Sequence, residues 1–231
     1  MLNHISENIY YWLEVHGAER NEPYPWNSYV IHIPDQNVLA LIDPLAASDE
    51  TIHAIESLGT PTHILLTCEF HLRESEIYQE RWGCEILVNE IEADRYDVLI
   101  DGLFYQGERL WNFIDPITIT GVYYPETAFL IHEAGGVLII GDLLAGGRKD
   151  HGIPDGELGI MGPEYIVNLN KARQSLAKLL NHNYNIMCFG HGTPIFKNPK
   201  KKLQDYLEND LIWEYLADLK RTRPVPDDIE L

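Results

Sequence analysis

Four stretches of this chain place a carboxylate or an imidazole directly after an apolar run. Val38–Ile42 ends in Asp43, and Ile64–Leu66 leads into Thr67-Cys68-Glu69-Phe70-His71-Leu72-Arg73-Glu74. Val137–Ile140 leads into Gly141-Asp142, and Ile186–Phe189 into Gly190-His191-Gly192. An ionisable group at the end of a buried strand is costly unless paired or metal-bound. Strand ends are also where α/β folds assemble their sites. Each group alone has a plain structural use: Asp43 as a helix cap, Asp142 in a turn, His191 as a strand-end histidine. Four together, in one chain and in this order, are not easily dismissed as structural.

The elements that must position these groups are legible as runs. Apolar, β-branched segments at Tyr29–Ile33, Val38–Ile42, His63–Leu66, Glu85–Val88, Ile117–Thr120, Ala128–Ile131, Val137–Ile140 and Ile186–Phe189 predict strands. Several are continuous rather than alternating, which predicts strands covered on both faces. Helical spacing predicts helices over Asp49–Leu58, Leu72–Trp82 and Glu164–Asn181, with Gly59 and Gly83 as stops for the first two. Asn198-Pro199 opens a last helix carrying Leu203, Leu207 and Leu211. Residues 146–159 are glycine-rich without a phosphate-cradle pattern and read as a loop. The two halves each run strands then helix, so one domain over 1–222 is expected, followed by a loose tail at 223–231.

Composition narrows the function classes. With 231 residues the chain can bury a sizeable core without disulfides. Asp plus Glu number 36 against 17 Lys plus Arg, a formal charge of −19 that repels nucleic-acid phosphates and anionic membranes. Cys68, Cys84 and Cys188 are odd in number and lack C-x-x-C spacing, which fits a reducing compartment. No signal peptide or membrane-length apolar run is visible. The expected protein is cytoplasmic, works on a small molecule, and binds neither nucleic acid nor membrane. Tyr24, Trp26 and Tyr29 could wall a substrate pocket, or pack in the core or a homodimer interface. His53, His63, His132, His151 and His182 have no ligand spacing and read as surface or satisfied polar residues.

From Asn27-Ser28-Tyr29-Val30-Ile31 to Gly190-His191-Gly192 the chain resembles the metallo-β-lactamase superfamily. The motifs are the strand ending in Asp43, the Ile-Leu-Leu-Thr run at 64–67, Gly141-Asp142, and Gly-His-Gly at His191. The resemblance implies a four-layer αββα sandwich with a cleft at one edge of the two sheets, and one or two metal ions activating a hydrolytic water. The family's H-x-H-x-D-H motif is broken here. Laid on 68–73 it meets Cys68, Phe70, Leu72 and Arg73, and its third-motif histidine falls near Tyr123.

Three protein ligands plus water is the usual minimum for a catalytic zinc, so the ordinary two-metal centre is not expected. A register slip by one residue brings Glu69, His71, Arg73 and Glu74 onto the motif. Glu69 and His71 then join Asp142 and His191 around one ion of zinc, iron or manganese at most, with Asp142 and His191 catalytic and Asp43 behind the ligands. Alternatively His71 and Glu74 belong to the exposed start of the next helix, and the site holds no ion. Cys68, Arg73 and Tyr123 are expected on the substrate side of the cleft.

Two functions follow. One is a hydrolase of an ester, thioester, lactone or phosphoester. The other is a non-catalytic binding or regulatory module with the site plugged by Arg73, Phe70 and Tyr123. If the ion is gone, Arg73 is expected to pair with Asp142 as a substitute for the missing metal charge.

Overall fold

The continuous apolar runs are buried along their whole length. Val38–Ile42 (β4) and Val137–Ile140 (β10) have no exposed residue. The computed structural model describes residues 1–16 and 24–222; the expected tail at 223–231 lies outside them.

The first sheet has seven strands in chain order: Asn3–His4 (β1), Ile9–His16 (β2), Tyr24–Ile33 (β3), β4, His63–Leu65 (β5), Glu85–Asn89 (β6) and Gly102–Phe104 (β7). β1 to β4 pair antiparallel, and β4 to β7 run parallel. The second sheet orders Ile186–Phe189 (β13), β10, Glu126–Ile131 (β9) and Ile114–Ile119 (β8), with β10 and β13 parallel. Leu144–Arg148 (β11) and Ile153–Ile160 (β12) form a separate hairpin.

Strand alternation explains the layers. Ile31, Ala40, Ile42 and Leu65 of the first sheet pack with Phe129, Ile131 and Ile139 of the second. Their neighbours Val30, Leu39, Leu41 and Ile64 face the other way, onto Ile52 and Ile55 of helix Asp49–Leu58 (α1) and Tyr78 of helix Ser75–Trp82 (α2). On the far side Ala128, Leu138 and Ile140 meet Leu176 and Leu179 of Leu169–Leu179 (α3) and Leu203 of Pro199–Glu208 (α4). Asp210–Thr222 (α5) adds Trp213 and Leu216 to that layer. This is an αββα sandwich, and each fully buried Leu or Ile contributes about 1.5–3 kcal/mol to it.

α1 occupies the expected span, its Ser48 hydroxyl capping Thr51 N at 3.3 Å. The helix expected over Leu72–Trp82 is broken: a 3-10 turn at Glu69–His71 comes first, and α2 starts only at Ser75. Arg73, at φ 45°, makes the break, since a left-handed residue cannot continue a right-handed helix. The third helix likewise shortens to α3, where Asn168 caps Lys171 N at 2.9 Å. β2 and the β11–β12 hairpin had no strand signal. β2 mixes polar residues among its apolar ones, and β12 carries Pro154, Gly156 and Gly159, which read as loop until a partner strand pairs them. Among the described residues no helix is long and apolar enough to cross a membrane.

Candidate functional site

The four strand ends meet. Asp43 leaves β4 in a left-handed conformation (φ 52°) that turns its carboxylate inward. Its Oδ1 accepts from Thr67 N at 2.8 Å, and its Oδ2 from Thr67 Oγ1 at 2.6 Å. The same Oδ2 takes His71 Nδ1 at 2.7 Å. The other face of that imidazole, Nε2, lies 3.0 Å from Asp142 Oδ1. His191 Nε2 approaches the same oxygen at 2.8 Å. Cys68 Sγ stands 4.0 Å from Asp142 Oδ2. The donor atoms of Cys68, His71 and Asp142 all lie within 4.8 Å of one another.

The glycines of the two short motifs make this approach possible. A Cβ on Gly190 would stand 2.8 Å from His71 Cε1, and one on Gly141 would stand 2.7 Å from Thr67 Oγ1. The Gly-His-Gly turn is pinned to β3 by Asn27. Its Nδ2 donates to Phe189 O at 2.9 Å and Gly192 O at 2.7 Å, and its backbone N donates to Gly190 O at 2.8 Å.

Charge states follow from these contacts. Burial raises the Asp142 carboxyl, but the His71 charge and the two imidazole contacts overcome it and hold it well below the usual range. For His71, burial and the Arg73 charge lower the pKa, yet Asp142 and Asp43 outweigh them and lift it to about 9. Burial pulls His191 down to about 4, against the Asp142 contact. Burial, then the Asp142 charge, pushes the Cys68 thiol far up. Glu126, at the start of β9, accepts from Asp142 N at 2.8 Å and Leu143 N at 2.9 Å, so it fixes the loop that carries Asp142. Burial, then the Asp142 charge, raises it to about 8, and its Oε1 has no hydrogen-bond partner.

Cys68, Glu126, Asp142 and His191 floor a cleft of about 440 Å³. Trp26 and Tyr24 stand on its β3 side, Phe70 and Tyr124 on the other, and Arg148 and His151 reach it from the β11–β12 hairpin.

The sequence profile of the metallo-beta-lactamase superfamily matches residues 3–210. The chain belongs to the metallo-β-lactamase superfamily. Solved structures agree on the fold. The DIM-1 metallo-β-lactamase is 13% identical with a TM-score of 0.66, over 91% of this chain and 97% of that one. A metallo-β-lactamase from Erythrobacter litoralis is 11% identical with a TM-score of 0.64, over 90% and 91%. A flavo di-iron protein from Thermotoga maritima is 16% identical with a TM-score of 0.64, over 90% of this chain and 61% of its own. No curated protein sequence matches the chain.

Within the superfamily's pattern, the 68–74 segment departs from each register laid on it. His71 is not at an exposed helix start; it is 2% exposed at the centre of the cluster. Glu69 does not join the donors. It lies 3.8 Å from Arg95, and its Oε2 has no hydrogen-bond partner. Arg73 does not pair with Asp142. Its Nη1 donates to Asn27 O at 3.0 Å and Asp43 O at 2.9 Å, and its guanidinium lies 5.4 Å from the Trp26 ring centre. The imidazoles of His71 and His191 occupy the positions around Asp142 that a guanidinium was expected to take.

Arg73 and Tyr123 do not line the cleft, and Phe70 is 53% exposed against Tyr124, so these residues do not form a plug. His151, read as a surface or satisfied polar residue, is exposed and also lines the cleft, and the 146–159 segment is a hairpin rather than a loop. Asn27 and Glu126 were missed. Asn27 opens the Asn27–Ile31 run that begins the resemblance, whereas nothing in the run Pro125-Glu126-Thr127 marks Glu126 as buried.

Proposed function

We propose that this protein is a hydrolase with a single-ion site, acting on an ester, thioester, lactone or phosphoester. The carrying observation is His71: its Nδ1 is held by the Asp43 carboxylate while Nε2 is aimed at Asp142 beside Cys68 and His191. A carboxylate on one ring nitrogen that orients the other is the arrangement that prepares histidine as a metal ligand. The donor set fits one ion. Cys68, His71 and Asp142 would hold it, with His191 as a fourth donor. One thiolate, two imidazoles and a carboxylate suit zinc better than a harder cation.

When bound, such an ion supplies Lewis acidity, polarising a carbonyl and acidifying a water. The remaining work falls to the chain itself. Asp43 holds His71 by Nδ1, which aims Nε2 at the position where it would give up its proton to an ion. Glu126 holds the backbone amides of Asp142 and Leu143, fixing the carboxylate's direction. His191, kept neutral by burial, presents Nε2 as the fourth donor atom beside Asp142.

Metal analysis of tag-free protein, purified without chelator, tests this. About one ion per chain is expected, lost in Asp142→Ala and in His71→Ala. Two ions per chain, or none, would overturn the reading.

A further inference from the structure

A separate cavity of about 830 Å³ opens at the start of α4 and shares no lining residue with the cleft. In a chain of formal charge −19 it is lined by Lys197, Lys200 and Lys201 and, among the described residues, by no carboxylate. The helix start there is out of electrostatic balance. A helix N-terminus carries partial positive charge, so acids are favoured in its first turn and cations are opposed. α4 has no acid in that turn, and Lys200, Lys201 and Lys202 follow Pro199 instead. Asn198 is left-handed (φ 53°), and its side chain makes no capping bond to the first-turn amides.

Two of these lysines bring a counter-ion of their own. Lys201 pairs with Asp205, and Lys202 with Glu157 at 2.6 Å. The cations on the cavity's remaining side do not. Lys200 Nζ donates to the neutral carbonyl of His182 at 2.8 Å, and Lys197 is exposed with no ion pair among the described residues.

A buried group on the same wall is independently unsatisfied. Tyr184 lines the cavity and is 4% exposed, and its hydroxyl has no hydrogen-bond partner. Burial pushes that hydroxyl's pKa up, so it keeps its proton. Unbalanced ammoniums, uncapped helix amides and an orphaned hydroxyl all lack the same thing, an acceptor that carries negative charge. Beside them Phe196 is 53% exposed, with no ring contact among the described residues. Its segment is fixed to β13 by Met187 N to Ile195 O at 3.0 Å and Ile195 N to Met187 O at 2.8 Å.

We propose that this cavity binds a small phosphate monoester bearing an aromatic ring, with the phosphate on Lys197, Lys200 and the first amides of α4 and the ring on Phe196. Ammoniums and helix-start amides are the donors that phosphate oxygens take, and an exposed phenyl face offers stacking surface.

The test is calorimetric titration of the full chain at low ionic strength with phenylphosphonate, whose phosphorus–carbon bond is not an ester. Inorganic phosphate and benzamide are the comparison ligands. Phenylphosphonate should bind at least about tenfold tighter than uncharged benzamide, and tighter than phosphate. Lys197→Gln and Lys200→Gln should each weaken it by about tenfold. Lys197 is exposed and unpaired, so its substitution removes a charge without disturbing the fold. Phe196→Ala should bring phenylphosphonate down to the affinity of phosphate. Asp142→Ala alters the cleft floor alone and should leave binding unchanged. Binding that survives Lys197→Gln undiminished, that disappears in Asp142→Ala, or that is equally tight for benzamide would overturn the proposal, as would no binding at all.

Discussion

Asp43 and Glu92 are equally buried, each 1% exposed, and are provided for in opposite ways. Asp43 accepts from a backbone amide, a hydroxyl and an imidazole. Glu92, in the 3-10 turn Glu90–Arg95, has no hydrogen-bond partner on either oxygen, and the hydroxyl of Tyr96 is unpartnered too. Burial, then the carboxylates of Glu126 and Glu69, pushes Glu92 up to about 9. Burial alone therefore does not decide what a carboxylate does in this protein. Partners make the Asp43 region a charged network that aims a ligand atom, and their absence makes Glu92 an acid that keeps its proton.

Removing the partner from the first region should have the largest effect. His71→Ala strands Asp43 and Asp142 together, and losing one member of a buried charged set costs about 3–5 kcal/mol. Urea unfolding at neutral pH should show that loss, and an unchanged midpoint would break the comparison.

The second region predicts a gain. A carboxyl raised in the folded state holds its proton more tightly there than in the unfolded chain. The folded protein therefore loses stability as pH rises from about 4.5 toward about 9. Glu92→Gln removes that loss. It should match the parent near pH 4 and exceed it by about 3 kcal/mol at pH 7. Equal stability at both pH values would show that Glu92 has a partner in solution.

Gly190→Ala probes how closely the network is packed. Its new Cβ would meet His71 Cε1 at 2.8 Å, and such overpacking costs about 1–3 kcal/mol, read as a lowered Tm. Phe70→Ala sits on the cleft rim outside both carboxylate regions and should change stability by no more than about 0.5 kcal/mol. A larger fall would mean that the rim supports the network.

The sequence by itself determined the strands covered on both faces and what stands at their ends. A strand covered on both faces must be apolar throughout, so Val38–Ile42, Val137–Ile140 and Ile186–Phe189 announce themselves, and Asp43, Asp142 and His191 stand out where the apolar runs stop. Motif order then identified the superfamily. Which side chain of 68–74 enters the site was not legible, because it depends on where the chain breaks. The left-handed turn at Arg73 ends the 3-10 segment early, and the missing Cβ of Gly190 leaves room for an imidazole from a distant strand connection. Glu92 and Glu126 were equally illegible. A glutamate looks the same in sequence whether it faces water or lies buried, and only the packing of β9 and the 90–95 turn decides between them.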